Sequence, residues 1–123
     1  VIRGMHFQTP PMDCTKLIFI SRGKIIDVLL DLRQSSPTFK RFIDLQLDCD
    51  NKALLIPPGI AHGFLSLEDN TTVVYNQSNP YSQEHDDGVL WNSFGYVWNV
   101  TNPVLSDRDK SFLPLSDQNT LFS

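Results

Sequence analysis

Apolar residues along this chain fall in short runs broken by clusters of Pro, Gly, Asn and Asp, and no long segment keeps a helical period. That pattern predicts an all-β protein. The clearest unit is Lys16 to Ile20, a Ser21-Arg22-Gly23 turn, then Lys24 to Leu32. In the second of these strands Ile26, Val28, Leu30 and Leu32 share one face, while Asp27 and Asp31 lie on the other. Further strands are predicted at Phe42 to Leu47, Ala53 to Ile56, Ile60 to Leu67, Thr71 to Tyr75 and Gly95 to Trp98. Turn chemistry separates them at Gln34 to Pro37, Asp48 to Asn51, Pro57 to Gly59, Glu68 to Asn70 and Ser78 to Pro80. Short strands at this spacing predict a sandwich or jelly roll, with a ligand pocket at its mouth. One short helical turn is expected at Ser106 to Lys110, and no internal repeat or linker interrupts the chain.

A length of 123 residues and a mass of 14.0 kDa fit a single domain over residues 1–123 that builds its own core. A net charge of -4 argues against a nucleic-acid partner, because that electrostatic footprint is basic. Any phosphate contact then falls to a few local cations, with Arg3, Arg22, Lys16 and Lys24 as candidates. Cys14 and Cys49 are too few and too widely spaced for a disulfide framework or zinc knuckle, so they read as free thiols in a reducing cytosol. The sequons at Asn70, Asn76 and Asn99 are attributed to chance in a chain rich in Asn, Ser and Thr. No signal peptide or membrane-length apolar run is present, so no membrane partner is expected. The opening Val1, where a methionine would normally stand, points to preceding native residues.

Two histidines stand near glycine in β-type surroundings, in Arg3-Gly4-Met5-His6-Phe7-Gln8 and in Pro57-Pro58-Gly59-Ile60-Ala61-His62-Gly63-Phe64. Three residues is an odd step in a period of two, so a regular strand would put Arg3 and His6 on opposite faces. A bulge at Gly4 would undo that and bring cation and base to one pocket. His62 shares parity with Ile60 and Phe64, which predicts an inward ring. The Pro-x-Gly-x-x-His spacing also resembles the second motif of metal-binding cupins. A metal site is not expected, because His6 is followed by Phe7-Gln8 where those cupins need His-x-His, and His85 sits in an acidic loop. Lys16 alternates with Ile18 and Ile20; if that face is inward an ammonium enters an apolar pocket, and if Leu17 and Phe19 are inward Lys16 is solvated. Tyr75 is either an acid or a core hydrogen-bonding group, Tyr81 a stacking or rim residue. Asp109 is a cap or surface carboxylate unless it meets a histidine, where it would fix the tautomer and raise basicity. A histidine, lysine, tyrosine and carboxylate are together the parts that move a proton beside a carbonyl.

Taken in order, Arg3 to Gln8, Lys16, Asp27 to Arg33 leading into Ser36 to Phe39, Pro57 to Phe64, Tyr75, Tyr81, Glu84, Trp91 and Leu105 to Asp109 resemble the dTDP-4-dehydrorhamnose 3,5-epimerase family over nearly the whole chain. The resemblance implies a cupin-like jelly roll, a double-stranded β-helix barrel. It implies a cytoplasmic homodimer and cofactor-independent epimerisation of a nucleotide-linked 4-keto-6-deoxyhexose. By the same matching His6 is the base and Asp109 its dyad partner, Tyr75 the acid on the opposite face, and Lys16 the group that meets the enolate oxygen. Arg3 would contact the diphosphate, His62 would line the sugar pocket, and Gln8, Tyr81 and Glu84 would complete the substrate contacts. The family usually carries a segment before the Arg-Gly-x-His motif, with strands that complete the dimer, so the chain is expected to be truncated at its N-terminus. Met5, Met12 to Thr15 and Ser93-Phe94 depart from the family pattern without touching the dyad. The rival functions are a relative that inverts one carbon and a non-catalytic cupin-like sugar-binding module.

Overall fold

A computed structural model describes residues 1–50, 52–118 and 122. Asn51, the last residue of one expected turn, lies outside them. Among the described residues eight strands run as β1 Ile2–Gln8, β2 Lys16–Arg22, β3 Lys24–Asp31, β4 Phe42–Asp48, β5 Ala53–Ile56, β6 Ile60–Ser66, β7 Thr72–Gln77 and β8 Asp86–Gly88. One short helix follows, α1 Asp107–Lys110, and one 3-10 turn at Leu115–Asp117. All strand pairings are antiparallel, in a five-stranded sheet ordered β4-β3-β6-β1-β8 and a three-stranded sheet ordered β5-β2-β7. This is the jelly roll that the short apolar runs predict.

The turn at Ser21 to Gly23 does not pair its flanking strands with each other; it carries the chain from the small sheet to the large one. Gly23 has φ +82, and a Cβ there would sit 2.4 Å from Thr71 Oγ1, so only glycine passes this corner without displacement. Between the sheets Ile18 and Ile20 of β2 meet Ile25, Leu47 and Ile56 in one core cluster. On the far face of the large sheet Val28, Leu30, Leu32, Met5 and Phe7 pack against Val89, Phe94, Trp98 and Phe122 in a second cluster. The middle strands β3, β6 and β1 of the large sheet are therefore covered on both faces, while its edge strand β4 is mostly exposed. Asp27 and Asp31, on the face of β3 opposite Val28 and Leu30, are buried and not solvated.

One expectation needs correction, and one strand carries no signal in the sequence. Gly95 to Trp98 is not a strand: Gly95 takes φ +94, Trp98 Nε1 donates to the Trp91 carbonyl at 2.8 Å, and the segment folds back so that Tyr96 and Trp98 lie on the second cluster. Its aromatic content reflects packing onto a sheet and not membership of one. The acidic loop around His85 runs into β8, whose Asp-Asp-Gly sequence has no apolar alternation; its pairing comes from β1, with Phe7 opposite Asp87 and Gln8 opposite Asp86. The expected helical turn forms as α1, where Ser106 caps the N-terminus by accepting from Asp109 N at 3.1 Å.

Candidate active site

Gly4 makes the site possible. The β1–β6 register runs Ile2 opposite Leu65 and Arg3 opposite Phe64, then shifts so that His6 stands opposite His62. The extra residue in β1 is a bulge, and Gly4 sits in it at φ +131. A Cβ on Gly4 would lie 2.5 Å from Gly63 Cα, so the close passage of the two strands requires glycine here. The shift cancels the odd step between Arg3 and His6. Both line one cavity of about 210 Å³ between the two sheets, as the glycine in the motif predicts.

The large sheet contributes Arg3, His6, Gln8 and His62 to this cavity, and the small sheet contributes Lys16, Tyr75 and Gln77. Tyr81, Asp86 and Arg108 complete the wall. The open parity of Lys16 is resolved by its strand: Ile18 and Ile20 are buried while Leu17 is 38% exposed, so the Lys16 face is inward. Burial is the largest influence on its ammonium and pushes its pKa below the usual value, while the charges of Asp86 and Asp27 pull it back up.

His6 Nε2 lies 2.7 Å from Asp109 Oδ1, and Asp109 is buried. Helix α1 brings the carboxylate there, and its second oxygen accepts from the Gly4 backbone N–H at 3.2 Å. With a carboxylate as acceptor, Nε2 carries the proton and Nδ1 is the nitrogen left for chemistry. Phe112 stands edge-on to the imidazole at 5.8 Å and holds the ring from the side. Burial, the dominant cause, lowers the His6 pKa below the ordinary imidazole value, although its Asp109 partner works in the opposite direction. At neutral pH the ring is a neutral base.

A second pair has the same construction: His62 Nε2 lies 2.7 Å from Asp27 Oδ2, and Asp27 is completely buried. Burial raises the Asp27 pKa, against the lowering effect of His62 and Lys16.

Not every anticipated residue meets the cavity. Glu84 is exposed in the turn before β8 and does not line it. Gln8 lines it, but its amide is committed inside the protein: Nε2 donates to the Met12 carbonyl at 2.6 Å and Oε1 accepts from Ser82 N at 3.0 Å, tying two loops together. Tyr75 and Tyr81 are exposed by 60% and 65%. Sequence reasoning missed Asp27, Gln77, Asp86 and Arg108. Only Asp27 left a signal, a carboxylate alternating with Ile25 and Leu29 in a strand too apolar to tolerate it without a partner. Arg108 reaches the cavity wall by pairing with Asp86 of β8, a strand with no apolar signature. Among the described residues no three His, Cys, Asp or Glu side chains converge as metal ligands. Beside the cavity lies a wider groove of about 760 Å³ that shares Arg3, Phe64 and Val73 with it but carries no histidine, lysine or tyrosine.

The sequence model of dTDP-4-dehydrorhamnose 3,5-epimerase matches residues 1–117. The chain belongs to that family. It is 43% identical over 112 residues to the dTDP-4-dehydrorhamnose 3,5-epimerase of Shigella flexneri, a match covering 89% of this chain and 62% of the relative. The crystal structure of the Bacillus anthracis enzyme, with TDP and PPi bound, superposes with a TM-score of 0.90 at 47% identity over 94% of this chain and 67% of that one. The Legionella pneumophila enzyme, solved in complex with dTDP-4-keto-L-rhamnose, superposes with a TM-score of 0.87 at 28% identity over 96% of this chain and 64% of that one. The chain thus spans about three-fifths of the length of its curated Shigella relative.

Proposed function

We propose that this chain, a single catalytic domain, performs cofactor-independent epimerisation of a dTDP-linked 4-keto-6-deoxyhexose, inverting the carbons on either side of the ketone. The observation that carries the proposal is the division of labour across one cavity. A half-buried, neutral imidazole backed by the buried Asp109 stands on the large sheet, and an ammonium and a tyrosine stand on the small sheet. A carbon–hydrogen bond next to a ketone is weakly acidic, so its proton leaves only if the oxyanion meets a preorganised cation while a base is within reach.

His6 Nδ1 takes the proton, its charge balanced by Asp109 through Nε2. Lys16 meets the enolate oxygen. Tyr75 returns a proton to the opposite face of the carbon, which inverts it. Arg3, shared between the cavity and the wider groove, is suited to the diphosphate, with Tyr81 bordering the sugar-nucleotide. The relatives bound to TDP and to dTDP-4-keto-L-rhamnose support this substrate class. The protein acts as a homodimer in the cytoplasm on this reading.

The test is solvent deuterium exchange with dTDP-4-keto-6-deoxyglucose. The wild type should incorporate deuterium beside the ketone, and His6→Ala should lose at least roughly 100-fold in that rate, the lower end of what a positioned base contributes. Full exchange in the folded variant would remove His6 from the mechanism, and no exchange in the wild type would leave a sugar-binding module.

A further inference from the structure

Asp27 is the only completely buried charged residue among the described residues, and its surroundings do not explain it as packing. One carboxylate oxygen takes the His62 Nε2–H at 2.7 Å, while the other, Oδ1, is buried without a hydrogen-bond partner among the described residues. A core that needed only volume at this position would be served better by an apolar side chain, because a buried carboxylate oxygen left unsatisfied is destabilising. The neighbouring inward positions of β3 follow that rule, with Ile25 fully buried and Leu29 packed into the same cluster. What Asp27 has that leucine would lack is its hold on His62.

His62 stands directly opposite His6 in the β1–β6 ladder, so the two imidazoles enter the cavity from adjacent strands, each backed through Nε2 by a buried aspartate at 2.7 Å. The aspartates come from unrelated places, Asp109 from α1 and Asp27 from β3. Asp27 Oδ2 accepts, so the Nε2 proton stays on the inner side of the ring in either charge state. Nδ1 has no protein partner among the described residues and is the nitrogen left to the cavity. We propose that Asp27 is a positioning residue: it locks His62 with Nε2–H directed into the core, so that His62 meets an oxygen of the bound sugar through Nδ1, on the side of the cavity facing Lys16. This rests on the epimerase reading above, which fixes what the cavity holds.

A merely structural Asp27 and a positioning Asp27 lead to different results. In wild-type protein with labelled histidine, 15N correlation spectra should show His62 protonated at Nε2, with that proton protected from solvent. A His62 protonated at Nδ1 alone would overturn the proposal without any variant. Asp27→Asn keeps the volume, removes the charge and offers an amide that can donate as well as accept, so the Nε2–H signal should broaden or move. The kcat of this variant should fall at least tenfold, with KM changing less, while its melting temperature stays equal or rises. Wild-type exchange beside the ketone is the control: its absence would sink the epimerase reading instead. Wild-type exchange with an Asp27→Asn kcat within twofold of it, in a folded variant, would overturn this inference alone.

Discussion

At the scale of single residues, the two atoms of Asp109 that accept hydrogen bonds decide what a substitution does. Oδ1 takes His6 Nε2–H and Oδ2 takes the Gly4 N–H, so both partners are donors. Asparagine has only one acceptor oxygen and would turn an N–H against one of those donors. Asp109→Asn should therefore lower the exchange rate by more than roughly tenfold through the wrong tautomer, while leaving the base itself in place and so some activity. Wild-type kinetics in that variant would reduce Asp109 to a cap. Tyr75→Phe should act on a different step, with deuterium exchange retained and inversion slowed, and a parallel loss of both would assign the acid elsewhere. His6 also fixes a pH dependence. Burial holds its pKa below 6.5, and the base must be neutral, so activity rises with pH through that lowered value and the acid limb of kcat/KM should lie below 6.5. A limb above it would contradict a desolvated His6. His6 and His62 were legible as cavity residues from the glycine-histidine motifs, whereas parity left Lys16 open and Tyr75 and Tyr81 were placed by the family resemblance; all five line the one cavity. Asp27 and Arg108 were not legible, because their roles exist only across strands, where β3 meets β6 and where α1 meets β8.

At the scale of elements, the bulge in β1 is where sequence and site geometry meet most directly. The Arg-Gly-x-His spacing contradicts a regular strand if cation and base are to face one pocket, and the glycine between them is the residue that the bulge uses. Gly4→Ala should be severe for two separate reasons: its φ of +131 is strained for an L residue, and its Cβ would meet Gly63 Cα, a backbone atom that cannot rotate away. A stability loss of at least about 1–3 kcal/mol is expected from the backbone conformation alone. The activity loss should be larger than that stability loss accounts for, since His6 and Arg3 would no longer share a cavity. Chemical denaturation together with the exchange assay checks both, and an alanine variant of wild-type stability would mean the register shift does not depend on glycine. The elements that sequence reasoning misjudged share one cause. β8 and the 95–98 segment each take their state from a partner, the first from the open edge of β1 and the second from the far face of the large sheet, and neither partner is encoded locally.

At the scale of the whole molecule, the jelly roll was legible because period-two runs and turn residues are local signals, whereas the double covering of the large sheet's middle strands was not. β3 shows why: its residues are buried on both faces, so the face that reads as acidic is an interior one. Asp31 is the consequence. At the end of β3 its carboxylate accepts from Arg33 N and Nε at 2.9 and 3.0 Å, from Ser36 Oγ at 2.6 Å and from Thr38 Oγ1, fastening the connection to β4 against the sheet. Burial on its own would raise this pKa, but those hydrogen bonds outweigh it and hold the carboxyl well below the usual carboxylate range. A depressed pKa means the unfolded chain binds the proton more readily, so the stabilisation is present above the unfolded value of 3.8 and is lost as pH falls below it toward the folded value. Asp31→Asn should therefore cost about 1.5–3 kcal/mol at pH 7, the scale of hydrogen bonds to a charged group. The gap to wild type should close as pH drops below 3.8. Urea unfolding of both proteins across that range separates this from other acid effects, because the remaining carboxylates titrate in both. A gap that stays constant down to low pH would show that the loop is held by Arg33 packing on Gly59 and not by the ionised carboxylate.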